Sequence, residues 1–259
     1  MSIYYQDEFV TLYHGDCIDV LPTMASGSVD LVLTDLPYGM TDCAWDTELP
    51  LDVLWAEWKR LLTKTGAVTL TASQPFTSTL VSSNPKAFKT EWIWEKNAGS
   101  NFGTLKRQPM KEHESVLLFA WGKYLYNPQM QERAASGLAR VKSGVVNYST
   151  KADVYSKGGL TGTASSNRPD LRYPRSIQKF NRERGLHPTQ KPVDLMRYII
   201  RTYTDEGATV LDNCAGSGST LVAARAEGRK SIGIEMEEKY CEVIANRCSQ
   251  GLDLFGGAA

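Results

Sequence analysis

Asp35, Leu36, Pro37 and Tyr38 stand together directly after an apolar run, Val29 to Thr34, that reads as a buried strand. A carboxylate, a turn stiffened by proline and an aromatic ring at a strand's C-terminal edge can hold a flat ring carrying an exocyclic amine. Such an amine is a poor nucleophile because its lone pair is delocalised into the ring. Two acceptors placed out of the ring plane restore tetrahedral character to the nitrogen. Asp35 offers one through its carboxylate, and Leu36 offers the other through its backbone carbonyl. Tyr38 can stack on the ring face. The proton leaves with or after the incoming group, so Asp35 need not be a strong base, and positioning supplies much of the rate. Few chemistries want this arrangement, and methyl transfer to a nucleobase amine leads them. In isolation the four residues also fit a plain strand-end turn.

A second constellation lies downstream. Asp212-Asn213-Cys214-Ala215-Gly216-Ser217-Gly218-Ser219-Thr220 falls between a strand and a helix, where open α/β sheets bind nucleotide-like ligands. Gly216 and Gly218 let backbone approach a ligand closely, with Ala215, Ser217 and Thr220 beside them. Glu235 ends the next strand and can accept hydrogen bonds from two ribose hydroxyls. The third glycine of a dinucleotide fingerprint is missing, since Leu221 stands there. That disfavours a pyrophosphate and a nicotinamide oxidoreductase. It fits S-adenosylmethionine (SAM), an adenosine without phosphate. No metal-ligand spacing and no phosphate loop occur. A base inside a duplex would have to be flipped out to reach such a site.

The elements around these residues alternate. Thr11 to His14, Val29 to Thr34, Ala67 to Ala72, Trp92 to Trp94 and Val116 to Phe119 read as short strands. Leu51, Leu54, Trp55, Trp58, Leu61 and Leu62 share one helical face, with Gly66 expected after the helix end. Pro192 suits a helix first turn, and Val193, Met196, Ile200 and Tyr203 share a face. Thr209 to Asp212 and Ser231 to Glu235 read as strands, and Ser219 to Glu227 and Glu237 to Cys248 as helices. This order predicts an α/β domain, Rossmann-like, with a mostly parallel sheet covered on both faces.

Composition bounds the partners. The 259 residues, 42% hydrophobic and 22% charged, fit one large domain or one domain with an insertion. No apolar run approaches the ~18 residues of a membrane span, and the N-terminal residues do not read as a signal peptide. Cys17, Cys43, Cys214, Cys241 and Cys248 form no CxxC pair, so they are expected to be reduced, mostly buried thiols of a cytoplasmic protein. Net charge is +0, but it is unevenly spread. Trp121 to Lys191 holds 13 Lys and Arg against 4 Asp and Glu, leaving the remainder acidic. A basic, irregular block beside an acidic body suits a polyanion-binding insert, although a solvated basic loop is the plainer alternative.

Together these residues resemble the SAM-dependent amino-methyltransferases of DNA, in the circularly permuted order called the β class. The resemblance spans nearly the whole chain. It includes Gly15-Asp16-Cys17, Asp35 to Gly39, Leu70 to Phe76, Trp92 to Lys96, Lys106-Arg107 with His113-Glu114, His187 to Pro192 and the loop around Gly216. It implies a seven-stranded sheet, SAM as methyl donor and double-stranded DNA as substrate. Residues 1–121 would form the catalytic half, 122–186 an inserted target-recognition region, 187–250 the SAM-binding half and 251–259 a tail. Asp212, Ala215, Gly216, Ser217, Gly218, Thr220 and Glu235 would bind SAM, with Asp16 near its adenine ring. Thr189 and Lys191 would adjoin its methionine end, and Asp35 would also contact the cofactor. Lys106, Arg107, His113, Arg168, Arg172 and Arg175 would meet DNA.

The class usually carries two prolines in its tetrapeptide and Asp-Pro-Phe at its loop. Here Leu36, Asn213 and Cys214 differ. Asp rather than Ser at position 35 favours adenine N6 over cytosine N4. Cytosine C5 methylation needs a cysteine nucleophile, usually after proline, and no Pro-Cys occurs. A regulator that keeps the fold without turnover is the rival of another class. The class implies a bacterial or phage-infected cell and a homodimer as one assembly, and leaves a partner nuclease open. Gln250, Leu252, Leu254 and Phe255 resemble a sliding-clamp-binding peptide.

Overall fold

The computed structural model describes residues 1–39, 48–142 and 170–250. They fall into two compact units, Met1–Asn127 with Ser176–Ala259, and Pro128–Arg175. The larger unit begins with strands β1 (Ser2–Gln6) and β2 (Val10–His14), the short helix α1 (Cys17–Val20) and β3 (Val29–Thr34). Helix α2 (Leu51–Leu61) then leads into β4 (Leu62–Ala72), and α3 (Phe76–Ser83) into β5 (Phe88–Lys96) and β6 (His113–Phe119). The smaller unit holds β7 (Gln131–Glu132), α4 (Ala135–Lys142) and β8 (Leu171–Arg172), with β7 and β8 paired antiparallel. The chain returns through β9 (Ile177–Phe180), α5 (Val193–Tyr203), β10 (Thr209–Asp212), α6 (Ser219–Ala226), β11 (Lys230–Glu235) and α7 (Glu238–Ser249).

Nine described strands build the large sheet in the order β1-β2-β11-β10-β3-β4-β6-β5-β9. The seven from β2 to β5 are the expected sheet, and only β6 runs against them. β1 adds an antiparallel edge beside β2, and β9 a parallel one beside β5. Strand β3 shows why the centre is stable. Val32 faces one apolar cluster with Leu54, Trp58 and Leu70, whereas Leu31 and Leu33 face another with Met196, Ile199 and Ile200. A strand buried on both faces needs apolar residues at successive positions, as Val29 to Thr34 mostly provides.

Helix α2 buries Leu54, Trp55, Trp58 and Leu61, the stripe its spacing dictates. Two expectations shift. Gly66 does not follow a helix end: α2 runs straight into β4, and Gly66 lies inside that strand. A side chain there would meet Leu62 Cδ2 at 2.8 Å and the Asp30 carbonyl at 3.1 Å, so the glycine answers close packing. Residues 176–186, read from sequence as part of the insert, belong to the larger unit. Ile177 to Phe180 pair with Ile93 to Lys96, a ladder four residues long that periodicity alone does not reveal. Trp92 and Trp94 are both buried, and Trp92 Nε1 donates to the Tyr203 hydroxyl at 2.7 Å.

Among the described residues no helix is long and apolar enough to cross a membrane. Among the same residues no group of His, Cys, Asp and Glu could hold a metal ion. Cys17, Cys241 and Cys248 are buried and Cys214 is half-buried, all as free thiols, while Cys43 lies outside the described residues.

Candidate active site

The parallel strands β3, β10 and β11 all end at one edge of the sheet, so Asp35, Asp212 and Glu235 arrive side by side. β5 ends there too, with Lys96 as its last residue. The antiparallel β6 begins at that edge, which is how Glu114 joins them. A cavity of about 960 Å³ opens along this edge, within the size range of small-ligand sites. Asp16, Asp35, Leu36, Pro37, Tyr38, Thr189, Lys191, Asp212, Ala215, Gly216, Ser217, Thr220 and Glu235 line it. Of the expected cofactor residues only Gly218 is absent from that wall. It turns the chain into α6 with φ +78, and a Cβ there would press on Ile244 Cγ1 at 2.9 Å.

The tetrapeptide is held from several sides. The Tyr38 hydroxyl donates to Asp35 Oδ1 at 2.8 Å, and the Thr71 hydroxyl donates to the same oxygen. Lys191 donates to Asp35 Oδ2. The Tyr38 ring stacks on Phe76, centroids 4.9 Å apart and 26° from parallel, which fixes it as a wall of the cavity. Burial pushes the Tyr38 phenol well above its usual range, with the Asp35 and Glu114 charges adding to it, so it stays a donor.

Lys191 belongs to a four-charge chain. Its ammonium lies 3.6 Å from Glu114 Oε2, and Lys96 pairs with Glu114 Oε1. Burial works against the Lys191 charge, but Asp35 and then Glu114 outweigh it and hold its pKa above the lysine norm. Burial likewise opposes the Glu114 charge, yet Lys191 and Lys96 pull its carboxyl below the usual range. Lys96 itself is depressed by burial, and its ammonium sits 5.0 Å from the Trp94 ring centroid.

The glycine loop fits an adenosine-bearing ligand. Gly216 has φ +52, and a Cβ there would meet only the His187 ring at 3.8 Å, so its backbone borders open space. Both Glu235 oxygens take backbone donors, Gly216 N–H at 2.7 Å and Glu237 N–H at 2.8 Å. This aims the carboxylate and leaves further lone pairs for ligand hydroxyls. Burial raises its pKa. Asp16 caps α1, accepting from Ile18 N–H at 2.8 Å. His187 accepts from the Thr189 N–H at 3.2 Å and packs on Tyr240, consistent with a turn-shaping role. Asn213, a departure from the class pattern, has a structural use, since its Oδ1 accepts from Trp58 Nε1 at 3.1 Å and ties the loop to α2.

Asp212 is 4% exposed, and burial pushes its carboxyl up to about 6. The folded chain therefore holds this proton more tightly than the unfolded chain, whose ordinary value is 3.8. Its contribution to stability is present at acid pH and is lost as pH rises from about 4 to about 6. Asp212→Asn keeps an acceptor for the Cys214 N–H, which lies 3.2 Å from Asp212 Oδ1, without the buried charge. It should be more stable than the wild type by about 1–3 kcal/mol above pH 7, with no difference near pH 4. Thermal melts across that range test this.

Thr71, Glu114, Lys96 and Phe76 were not singled out as site residues by spacing. Thr69 and Thr71 alternating in the otherwise apolar second half of β4, Ala67 to Ala72, are the one visible signal. The expected DNA contacts fall in both units. Lys106, Arg107 and His113 are exposed near the start of β6, whereas Arg172 and Arg175 belong to the smaller unit. Arg168, Leu252, Leu254 and Phe255 lie outside the described residues; Gln250 ends α7 with its N–H on the Asn246 carbonyl at 3.2 Å.

Known proteins match this arrangement. The DNA methylase family model of N6 and N4 enzymes aligns with residues 29–247. The DNA adenine methyltransferase YhdJ of Escherichia coli K12 is 29% identical over 94% of this chain and 84% of its own length. The type II methyltransferase M.XycI of Xanthomonas campestris pv. cyanopsidis is 27% identical over 92% of this chain and 87% of its own. In three dimensions the chain resembles the M1.HpyAVI–SAM complex, with TM-score 0.61, 22% identity and coverage of 93% of this chain and 99% of that one. It also resembles the cytosine-N4-specific PvuII DNA methyltransferase, with TM-score 0.66, 15% identity and coverage of 95% and 88%. The fold, the strand-end carboxylates and a family match across most of the chain converge: this protein belongs to the N6/N4 DNA methylase family and is a DNA methyltransferase.

Proposed function

We propose that the protein moves a methyl group from SAM to the N6 amine of an adenine flipped out of duplex DNA. The observation that carries this is the Asp35 carboxylate, held by Thr71 and Tyr38 in the wall of a cavity that the Gly216 loop and Glu235 also line. SAM supplies an electrophilic methyl group. Asp212, the Gly216 loop and Glu235 would hold its adenosine part, with Asp16 at the adenine ring and Thr189 near its methionine end.

The protein's work is placement. Asp35 and the Leu36 carbonyl accept the two amine hydrogens and turn the nitrogen lone pair toward the cofactor side. Pro37 stiffens the turn, and Tyr38, backed by Phe76, presents a face to the base. The proton that the methylated nitrogen sheds has Asp35 within reach. Leu36 is buried at 3% exposure and packs in the core, so replacing the usual proline costs no hydrogen-bonding group. Lys106, Arg107, His113, Arg168, Arg172 and Arg175 are assigned to DNA contact on charge.

Adenine is preferred to cytosine for the carboxylate at position 35 and for the similarity to YhdJ, which is named an adenine methyltransferase. Similarity to the cytosine-N4-specific PvuII enzyme extends to the fold alone. Mass spectrometry of nucleosides from cells expressing the protein should find N6-methyladenine above the level of an empty-vector control. N4-methylcytosine in its place would transfer the assignment to the other base.

A further inference from the structure

Lys191 occupies an Asp35 oxygen that the proposed reaction assigns to the target amine. Its ammonium donates to Asp35 Oδ2, one of the two oxygens of the only carboxylate in the tetrapeptide. A second berth adjoins it. Glu114 Oε2 is buried without a hydrogen-bond partner, and the same ammonium lies 3.6 Å away. Its sister oxygen Oε1 is engaged by Lys96, whose side chain is 4% exposed. A buried carboxylate oxygen without a hydrogen bond is costly, and the cation that already pairs with it at 3.6 Å is the donor nearest to hand.

We propose that Lys191 is a place-holding cation. In the free enzyme it satisfies Asp35, and when the amine arrives it hands that oxygen over and moves to Glu114 Oε2. No covalent bond changes in this step. The amine hydrogen replaces the ammonium as donor to Asp35, and the Lys191 charge stays paired throughout. Lys96 keeps Glu114 in its acceptor form by remaining on Oε1. Glu114 and Lys191 are thus positioning residues that act through Asp35. The handover also makes Asp35 a better proton acceptor once the base is seated, because the nearest positive charge has moved away. The inference rests on the methyl-transfer reading above, since it gives the Asp35 oxygens a substrate to wait for.

The test is a pair of substitutions in the full chain, read by steady-state methyl transfer to DNA and by SAM titration. Glu114→Gln removes the charged berth and leaves Lys191 on Asp35, so kcat should fall about 10- to 100-fold, with the SAM Kd within about twofold. In a Lys191→Ala background the same Glu114→Gln change should cost much less, because only the pairing with Lys96 is then lost. An equal loss in both backgrounds, or wild-type kcat in Glu114→Gln alone, overturns the proposal. If Glu114→Gln does not fold, seen as loss of SAM binding, Glu114→Asp carries the same test by withdrawing the berth one methylene while keeping its charge. Absence of methyl transfer by the wild type would defeat the functional reading instead, a separate outcome.

Discussion

Asp35→Ala is expected to lower kcat for methyl transfer by at least about 10³-fold while changing the SAM Kd no more than a few-fold. The carboxylate combines two tasks, accepting an amine hydrogen and standing ready for the departing proton, and loss of a positioned acid–base group costs about 10²–10⁴-fold. The structure adds a reason for the residue to matter. Thr71, Tyr38 and Lys191 all converge on Asp35, so its oxygens are held in fixed directions before any base arrives. The alanine variant also leaves Lys191 with Glu114 as its one carboxylate partner among the described residues, so Asp35→Asn should be made beside it as the better-folded comparison. Single-turnover rates and calorimetric SAM titration on both variants decide the matter. Retained turnover in Asp35→Asn would remove Asp35 from the chemistry.

Glu235→Ala is expected to weaken SAM binding by about 10- to 100-fold and to leave turnover at saturating SAM within a few-fold of the wild type. Two contributions are lost together. One is the acceptor for ribose hydroxyls, and hydrogen bonds to charged groups are worth about 1.5–3 kcal/mol each. The other is the brace on the loop, since Glu235 Oε2 takes the Gly216 N–H and Oε1 the Glu237 N–H. Glu235→Gln separates them: it retains an acceptor for one backbone N–H but sets an NH2 group against the other. It should fall between alanine and the wild type. A SAM Kd unchanged in Glu235→Ala would show that the carboxylate serves the loop without touching the cofactor.

The placement of these groups was legible in the sequence to the extent that strand ends were legible. Val29 to Thr34 and Thr209 to Asp212 announce themselves by composition, and a residue at the end of a parallel strand reaches the site edge by topology. Asp35, Asp212 and Glu235 follow at once. Glu114 and Lys96 could not be placed in that way. Their arrival depends on β6 running against its neighbours and on β5 lying beyond it, a long-range pairing that local pattern does not encode. The contact between Lys191 and Asp35 joins residues far apart in sequence through a loop ahead of α5, again invisible to periodicity. β9 was hidden because four residues of mixed polarity at a sheet edge look like any irregular segment. Gly66 misled for a related reason. A glycine after an apolar helical stripe usually closes the helix, but here packing against Leu62 and the Asp30 carbonyl excludes a larger residue within a strand.

On the proposed reading, a carboxylate at a strand end presents a DNA amine to SAM. The decisive experiment uses purified protein, SAM labelled in its methyl group and unmethylated duplex DNA, followed by digestion to nucleosides. The expected result is label on the exocyclic nitrogen of adenine with the wild type and none with Asp35→Ala. Label on a ring carbon, or unlabelled DNA from a protein that binds SAM normally, would contradict it.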